Sequence, residues 1–227
     1  MAKGPLAVGW DALDLPEQQA GALSVARISV TNRGTVPWLD GIFVSYHWLD
    51  GRDNPIHWDG IRTAPPPVPP GESATVEARI RAPIPPGSYR LAFDLVAEGR
   101  AWFAELGNEA LTRDIDVQPR AGEPHADVPP QLESTPDWAE RVADAHAEGF
   151  AVVAGAIDAH RRPRALAPYQ PGPGRVPGFA SPLLCPSVLP GIELDSLGEI
   201  EGIPAFAAPR DEPWVYDGRI VLQLKGS

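Results

Sequence analysis

Asp114 and Asp116 are separated by one isoleucine, the spacing with which two carboxylates can share a hard divalent cation and, through it, a diphosphate. His47 and His57 each precede a tryptophan, in YHW and IHW, and imidazoles on neighbouring strands can begin a transition-metal site. Cys185, in LLCPS, would be a nucleophile if a base or a cation lowered its pKa. The indoles of Trp38 and Trp58, in or near loops, could stack on sugar rings.

Each candidate has a plainer explanation. Strict alternation along Leu111–Val117 puts Asp114 and Asp116 on the solvent face of a strand, with no metal needed to explain them. The two histidines lack a compact third ligand, because Asp50, Asp53 and Asp59 are ordinary loop acids. No base or cation accompanies Cys185, and its leucine and proline neighbours suit a shielded thiol. The run PGPGRVPG lacks the lysine and serine of a phosphate loop. No catalytic residue, metal or cofactor is therefore expected; Asp114, Asp116, His47 and His57 remain the positions where a metal would be sought. Tyr46 and Trp48 share the inward parity of their strand and are expected in the core. Trp38 and Trp58 are the expected ligand-binding pair, with anchoring of the second half as the alternative.

Composition narrows the partners. The formal net charge is −11 and the pI about 4.8, so phosphate backbones and anionic membrane surfaces are repelled. One cysteine allows no internal disulfide. The first residues, MAKGPLAVGWDALDLPEQQ, hold no apolar run long enough for a secretory leader, and no stretch approaches the ~20 apolar residues of a membrane span. A cytoplasmic soluble protein is the expectation, with a protein or a glycan as partner, no nucleic acid and no membrane insertion.

The elements follow from the alternation. The chain has 28 prolines and 22 glycines, clustered between apolar segments, which predicts strands joined by stiff loops. In GSYRLAFDLVA, Tyr89, Leu91, Phe93 and Leu95 alternate with Arg90, Ala92, Asp94 and Val96. Tyr89 stands where a sandwich's tyrosine corner would lie. In IFVSYHWL, Ile42, Val44, Tyr46 and Trp48 point one way and Phe43, Ser45, His47 and Leu49 the other. Ala26, Ile28 and Val30 share a face while Leu23 and Val25 are out of phase, which predicts a bulge near Val25. With strands at Leu6–Trp10, Pro55–Thr63, Ser73–Arg81 and Leu111–Val117, this is an antiparallel two-sheet sandwich of immunoglobulin-like size. Residues 120–133 read as a linker. Thr135-Pro136-Asp137 predicts a helix start, with Thr135 as cap, and Gly149 its end. FAVVAGAI predicts a strand buried on both faces, residues 161–213 have no periodicity, and a last strand is expected at Arg219–Leu224.

The runs VTNRGTVPW, YHWLDGRDNPIHWDGIRT, PPGE and APIPPGSYRLAFDLVAEGRAWFAELGN resemble an immunoglobulin-like module of bacterial proteins associated with family 2 glycosyltransferases. A looser likeness is to the four-tryptophan domain of selective-autophagy receptors, with Trp38, Trp48 and Trp102 at matching places and Trp58 less clearly so. These likenesses cover roughly Leu6–Val117. PDWAERVADAHAEGFAVVAGAID is similar to a helix and strand from the acceptor half of family 2 glycosyltransferases, and LLCPSVLPG and DEPWVYDGRIVLQL to tails accompanying such modules. The nucleotide-binding half has no counterpart, so the resemblance implies an accessory remnant or a non-catalytic relative.

The expectation is thus a mainly β chain: an immunoglobulin-like sandwich over residues 1–119, a linker over 120–133, and a helix–strand, Pro/Gly-rich extension over 134–227 that packs on the sandwich or on a partner. Its expected role is a non-catalytic interaction or positioning module in a bacterial surface-glycan or glycosyltransferase setting. A carbohydrate-binding module is the alternative, and a degenerate glycosyltransferase-related enzyme the second alternative.

Overall fold

The computed structural model describes residues 4–157, 182–200 and 202–225. The chain divides into two units: Met1–Gln18, Ala22–Pro83 and Gly87–Gln118 form the first, and Gln19–Gly21, Ile84–Pro86 and Pro119–Ser227 the second. The architecture is mainly β with antiparallel sheets, as an immunoglobulin-like sandwich requires.

The first unit contains β1 (Val8–Asp14), β2 (Leu23–Asn32), β3 (Ile42–Leu49), β4 (Pro55–His57), β5 (Ser73–Arg81), β6 (Gly87–Ala97), β7 (Ala101–Trp102) and β8 (Leu111–Val117). One sheet has the order β1-β2-β5. The other runs β4-β3-β6, and β6 carries β8 along its first half and β7 at its end. The inward parity holds: Ala26, Ile28, Val30, Val76, Ala78 and Ile80 of one sheet, and Val44, Tyr46, Trp48, Leu91, Phe93 and Leu95 of the other, are all buried. Each fully buried aliphatic side chain of this size contributes about 2 kcal/mol through removal from water. Arg81 fastens the sheets: its amide donates to Tyr46 Oη at 2.8 Å, and its carbonyl accepts from Trp48 Nε1 at 2.9 Å. Tyr89 packs edge-on against Trp48 with centroids 6.2 Å apart.

Two local expectations change. β1 extends to Asp14 and holds the register shift itself, between Trp10 and Ala12. β2 pairs with β5 without interruption from Leu23 to Thr31, so there is no bulge at Val25. Its out-of-phase valine simply faces outward, 48% exposed.

The second unit holds β9 (His125–Ala126), β10 (Leu132–Ser134), α1 (Trp138–Glu148), β11 (Val152–Ile157), β12 (Leu183–Leu184), β13 (Ser187–Val188), β14 (Ser196–Ile200), β15 (Ile203–Phe206) and β16 (Trp214–Leu224). The larger sheet has the order β10-β16-β11-β13-β9, with β11 and β16 parallel; the smaller is β12-β15-β14. β11 is covered on both faces, as its continuous apolar run predicts. Val153 packs with Val142, Ala145 and Phe150 around α1, while Val152 and Ala154 pack with Leu183 and Trp214.

The stretch expected as a linker contains β9 and the start of β10, and Leu132 sits in a core cluster with Ile157, Ile203 and Leu222. Its prolines hid these short pairings. Of the aperiodic 161–213 stretch, residues 161–181 and 201 lie outside the described residues, and the rest carries β12 to β15. Thr135 does not cap α1. Its hydroxyl donates to the Val221 carbonyl at 3.2 Å, and Asp137 holds the cap position while binding Arg141 at 2.6 Å. Gly149 ends the helix at φ 129, a conformation that disfavours side chains.

Candidate functional site

The outer face of the β4-β3-β6 sheet departs from simple sandwich patterning. Ser45, His47, Ala92, Asp94 and Val96 have outward parity, yet all are buried. The cause is a pair of covering segments. Residues 58–63 continue β4 irregularly along β3: Gly60 N donates to Tyr46 O at 3.0 Å, Ser45 Oγ to Gly60 O at 3.0 Å, and Thr63 N to Val44 O at 2.8 Å. The approach is so close that a Cβ on Gly60 would lie 2.6 Å from Tyr46 O and 2.7 Å from its ring, which only glycine avoids. On the other flank, β7 and the 3-10 turn Ala104–Leu106 fold over β6. Phe103 N donates to Leu95 O at 2.8 Å.

These segments assemble an aromatic stack. The Trp58 ring lies on the His47 imidazole, with centroids 4.0 Å apart and planes 18° apart. Trp102 meets His47 edge-on at 4.4 Å and Trp58 at 6.4 Å. The Arg62 guanidinium lies 5.7 Å from the Trp102 centroid, within cation–π range. Asp59 and Glu98 clamp that guanidinium, each at 2.6 Å. His47 Nδ1 donates to the Trp58 carbonyl, which fixes the tautomer because a carbonyl can only accept. Burial pushes the imidazole pKa down; the Trp58 carbonyl and Asp59 oppose that push. His47 is thus a neutral, buried plate beneath an indole that is 50% exposed.

Asp94 lies deeper on the same face. Its carboxylate accepts from Leu95 N at 2.8 Å and Ala104 N at 3.1 Å, which anchors the 3-10 turn beside Trp102. Burial raises its pKa to about 6, against the lowering effect of those two amides. The Asp94 side-chain carbon is expected to titrate in NMR with a midpoint near that value; a midpoint near 4, the ordinary aspartate value, would mean the site is hydrated.

The sequence candidates fare differently. Trp58 faces outward, but Trp38 is fully buried, edge-on to Phe103 at 6.1 Å, and its backbone pairs with Val68. A ring enclosed on both faces cannot stack on a ligand, so Trp38 belongs to the core. Asp114 pairs with Arg90 across the β6–β8 register at 2.9 Å, and Asp116 accepts from Ser88 Oγ at 2.7 Å. His57 is exposed on β4 opposite Trp48, while His47 is committed to the stack. Among the described residues, no group of three or more His, Cys, Asp or Glu is placed to hold a metal. Cys185 is buried, at φ 44, and burial followed by Asp127 raises its thiol to about 11. That is the opposite of nucleophile activation.

Arg62 and Asp94 were not among the sequence candidates, whereas Trp102 belonged to the aromatic set considered for sugar stacking without being chosen as a ligand-binding residue. Trp102 was marked by its aromatic ring and by its match to the four-tryptophan pattern, and Asp94 gave one sign, a carboxylate in the middle of an apolar strand. In the second unit, His146 Nε2 accepts from Ser187 Oγ at 2.9 Å, the geometry of a base and a nucleophile. Both are buried, and Nδ1–H is held by the Phe150 carbonyl at 2.8 Å, so the pair is a satisfied core contact.

No family model matches the chain, and no curated protein matches it. Among solved structures, it is similar to the CARDB domain of a Pyrococcus furiosus protein, at 17% identity and a TM-score of 0.31, covering 52% of this chain and 97% of that one. It is also similar to trypsin-activated alpha-2-macroglobulin from Escherichia coli, at 16% identity and a TM-score of 0.28, covering 57% of this chain and 9% of that one. Among the described residues, no helix is long and apolar enough to cross a membrane.

Proposed function

We propose that this chain is a non-catalytic interaction or positioning module whose sandwich contacts its partner through Trp58. The resemblance of Leu6–Val117 to glycosyltransferase-associated modules supports a bacterial surface-glycan or glycosyltransferase setting. The observation that carries the reading is the braced indole. A half-exposed tryptophan costs free energy in water, and here it is held rigid on a buried imidazole rather than folded inward. The reactive-looking groups point away from catalysis: Cys185 has a raised pKa, and His146 and Ser187 are enclosed.

The test immobilises the intact chain and passes a soluble extract of its source cells over it. Trp58→Ala is expected to lose a retained component that Val25→Ser keeps, Val25 being comparably exposed on the other sheet. Retention indifferent to Trp58→Ala, or no retention at all, would overturn the reading.

A further inference from the structure

We propose that the outer face of Trp58 is a stacking platform for an uncharged pyranose ring, with Arg62, Asp59 and Glu98 as its hydrogen-bonding rim. This rests on the reading above and names the ligand of the same site.

Three observations favour a sugar. The first is shape. One face of the indole is covered by His47 at 4.0 Å, so the 50% exposure of Trp58 belongs to the opposite face and the ring edge. A single flat apolar surface of this size matches the C–H face of one sugar ring. A stable protein interface instead needs about 1,000 Å² around an apolar centre. On the edge segment 55–63, Ile56 is the only other exposed large apolar side chain among the described residues.

The second is the rim. Arg62 donates Nη1 to Asp59 Oδ1 and Nε to Glu98 Oε2. Each carboxylate keeps a second oxygen, and the clamp fixes all three groups before a ligand arrives. Sugar hydroxyls both donate and accept, so they can bind such oxygens and a guanidinium N–H without a net charge of their own.

The third is charge. One guanidinium between two carboxylates leaves the rim net negative, on a chain of formal charge −11. Uronic acids and phosphorylated sugars are therefore repelled, and neutral rings are selected.

The test titrates the intact chain with cellohexaose, with N-acetylglucosamine hexamer and with a hexamer of galacturonate, following the tryptophan indole N–H signals by NMR. At least one neutral hexamer should move the Trp58 and Trp102 signals saturably, and the galacturonate hexamer should bind at least several-fold more weakly. Trp58→Ala should weaken the neutral ligand by about tenfold or more, as loss of a central aromatic contact does. Trp58→Tyr, which keeps a flat face, should stay within a few-fold and serves if the alanine variant does not fold. No response to either neutral hexamer up to about 10 mM would overturn the proposal. So would equal affinity in Trp58→Ala, or galacturonate binding as tightly as the neutral ligands. If the sugars fail while Trp58-dependent retention from extract persists, the ligand class is wrong and the interaction module stands, with a protein on the indole.

Discussion

Trp38→Ala is expected to destabilise the sandwich by about 3–5 kcal/mol, whereas Trp58→Ala is expected to cost well under half as much. The two tryptophans have similar settings in sequence, each in or near a loop, and opposite settings in space. Trp38 is fully buried against Phe103 and tied through its backbone to Val68, with N–H···O distances of 2.9 and 3.1 Å. Truncation leaves a cavity the size of an indole between segments that hydrogen bonds hold apart, so collapse recovers little. Trp58 has solvent on one face, and its removal exposes His47 without opening a void in the core. Trp38→Phe sharpens the test. Trp38 Nε1 is buried without a hydrogen-bond partner among the described residues, so phenylalanine removes a polar group that gains nothing from burial. That relief offsets part of the smaller cavity, and the Phe variant should recover most of the stability lost in Trp38→Ala. Urea unfolding of the intact chain, with hydrogen exchange on β2 and β6 as the local readout, measures all three. A cost for Trp58→Ala equal to that of Trp38→Ala would mean the indole of Trp58 is structural.

This contrast marks where sequence patterning stops. The inward parity of β3 and β6 was legible because every second residue meets the same core. The outward parity was misleading, because alternation predicts solvent wherever it does not predict core. Here residues 58–63 and the turn after β7 bury Ser45, His47 and Asp94, and no periodicity announces a segment that lies on a sheet without joining it regularly. The same holds for β9, β12 and β13. Each is two residues long, too short to alternate, and each exists only through a partner distant in sequence. Thr135-Pro136-Asp137 carries a correct helix signal, but its threonine hydroxyl finds the Val221 carbonyl, a partner 86 residues away. Local chemistry therefore identified the elements that organise themselves, and pointed to Trp58, whose indole the fold leaves half exposed. Arg62 and Asp94 needed the fold to bring them beside Trp102.

His146→Ala is expected to destabilise the second unit by about 3 kcal/mol, and the wild-type unit is expected to lose stability as pH falls below 6.5, the ordinary histidine value. The imidazole is 3% exposed, donates Nδ1–H to Phe150 O and accepts from Ser187 Oγ, so both nitrogens are used in the neutral form. A second proton on Nε2 would displace the serine donor and leave a buried cation, with the Arg120 charge adding to the repulsion. Burial is the main cause of the lowered pKa, Arg120 assists, and the Phe150 carbonyl opposes both. Because the folded value lies below the unfolded one, the unfolded chain binds the proton first as pH falls. Stability is therefore complete above 6.5 and declines below it, by about 1.4 kcal/mol per pH unit until the folded imidazole itself titrates. Asp137 and Asp217, whose pKa values are lowered from 3.8 chiefly by side-chain hydrogen bonds to Arg141 and Arg219, add losses only at more acid pH. Hydrogen exchange on β11 of the intact chain in urea, at pH 7.5 and 5.5, isolates the effect. Protection should fall at the lower pH in wild type, and this pH response should vanish in His146→Ala even though that variant starts from a lower stability. Equal protection at both pH values in wild type would show that the folded imidazole accepts a proton as readily as the unfolded one, and that the Ser187 contact does not require the neutral form.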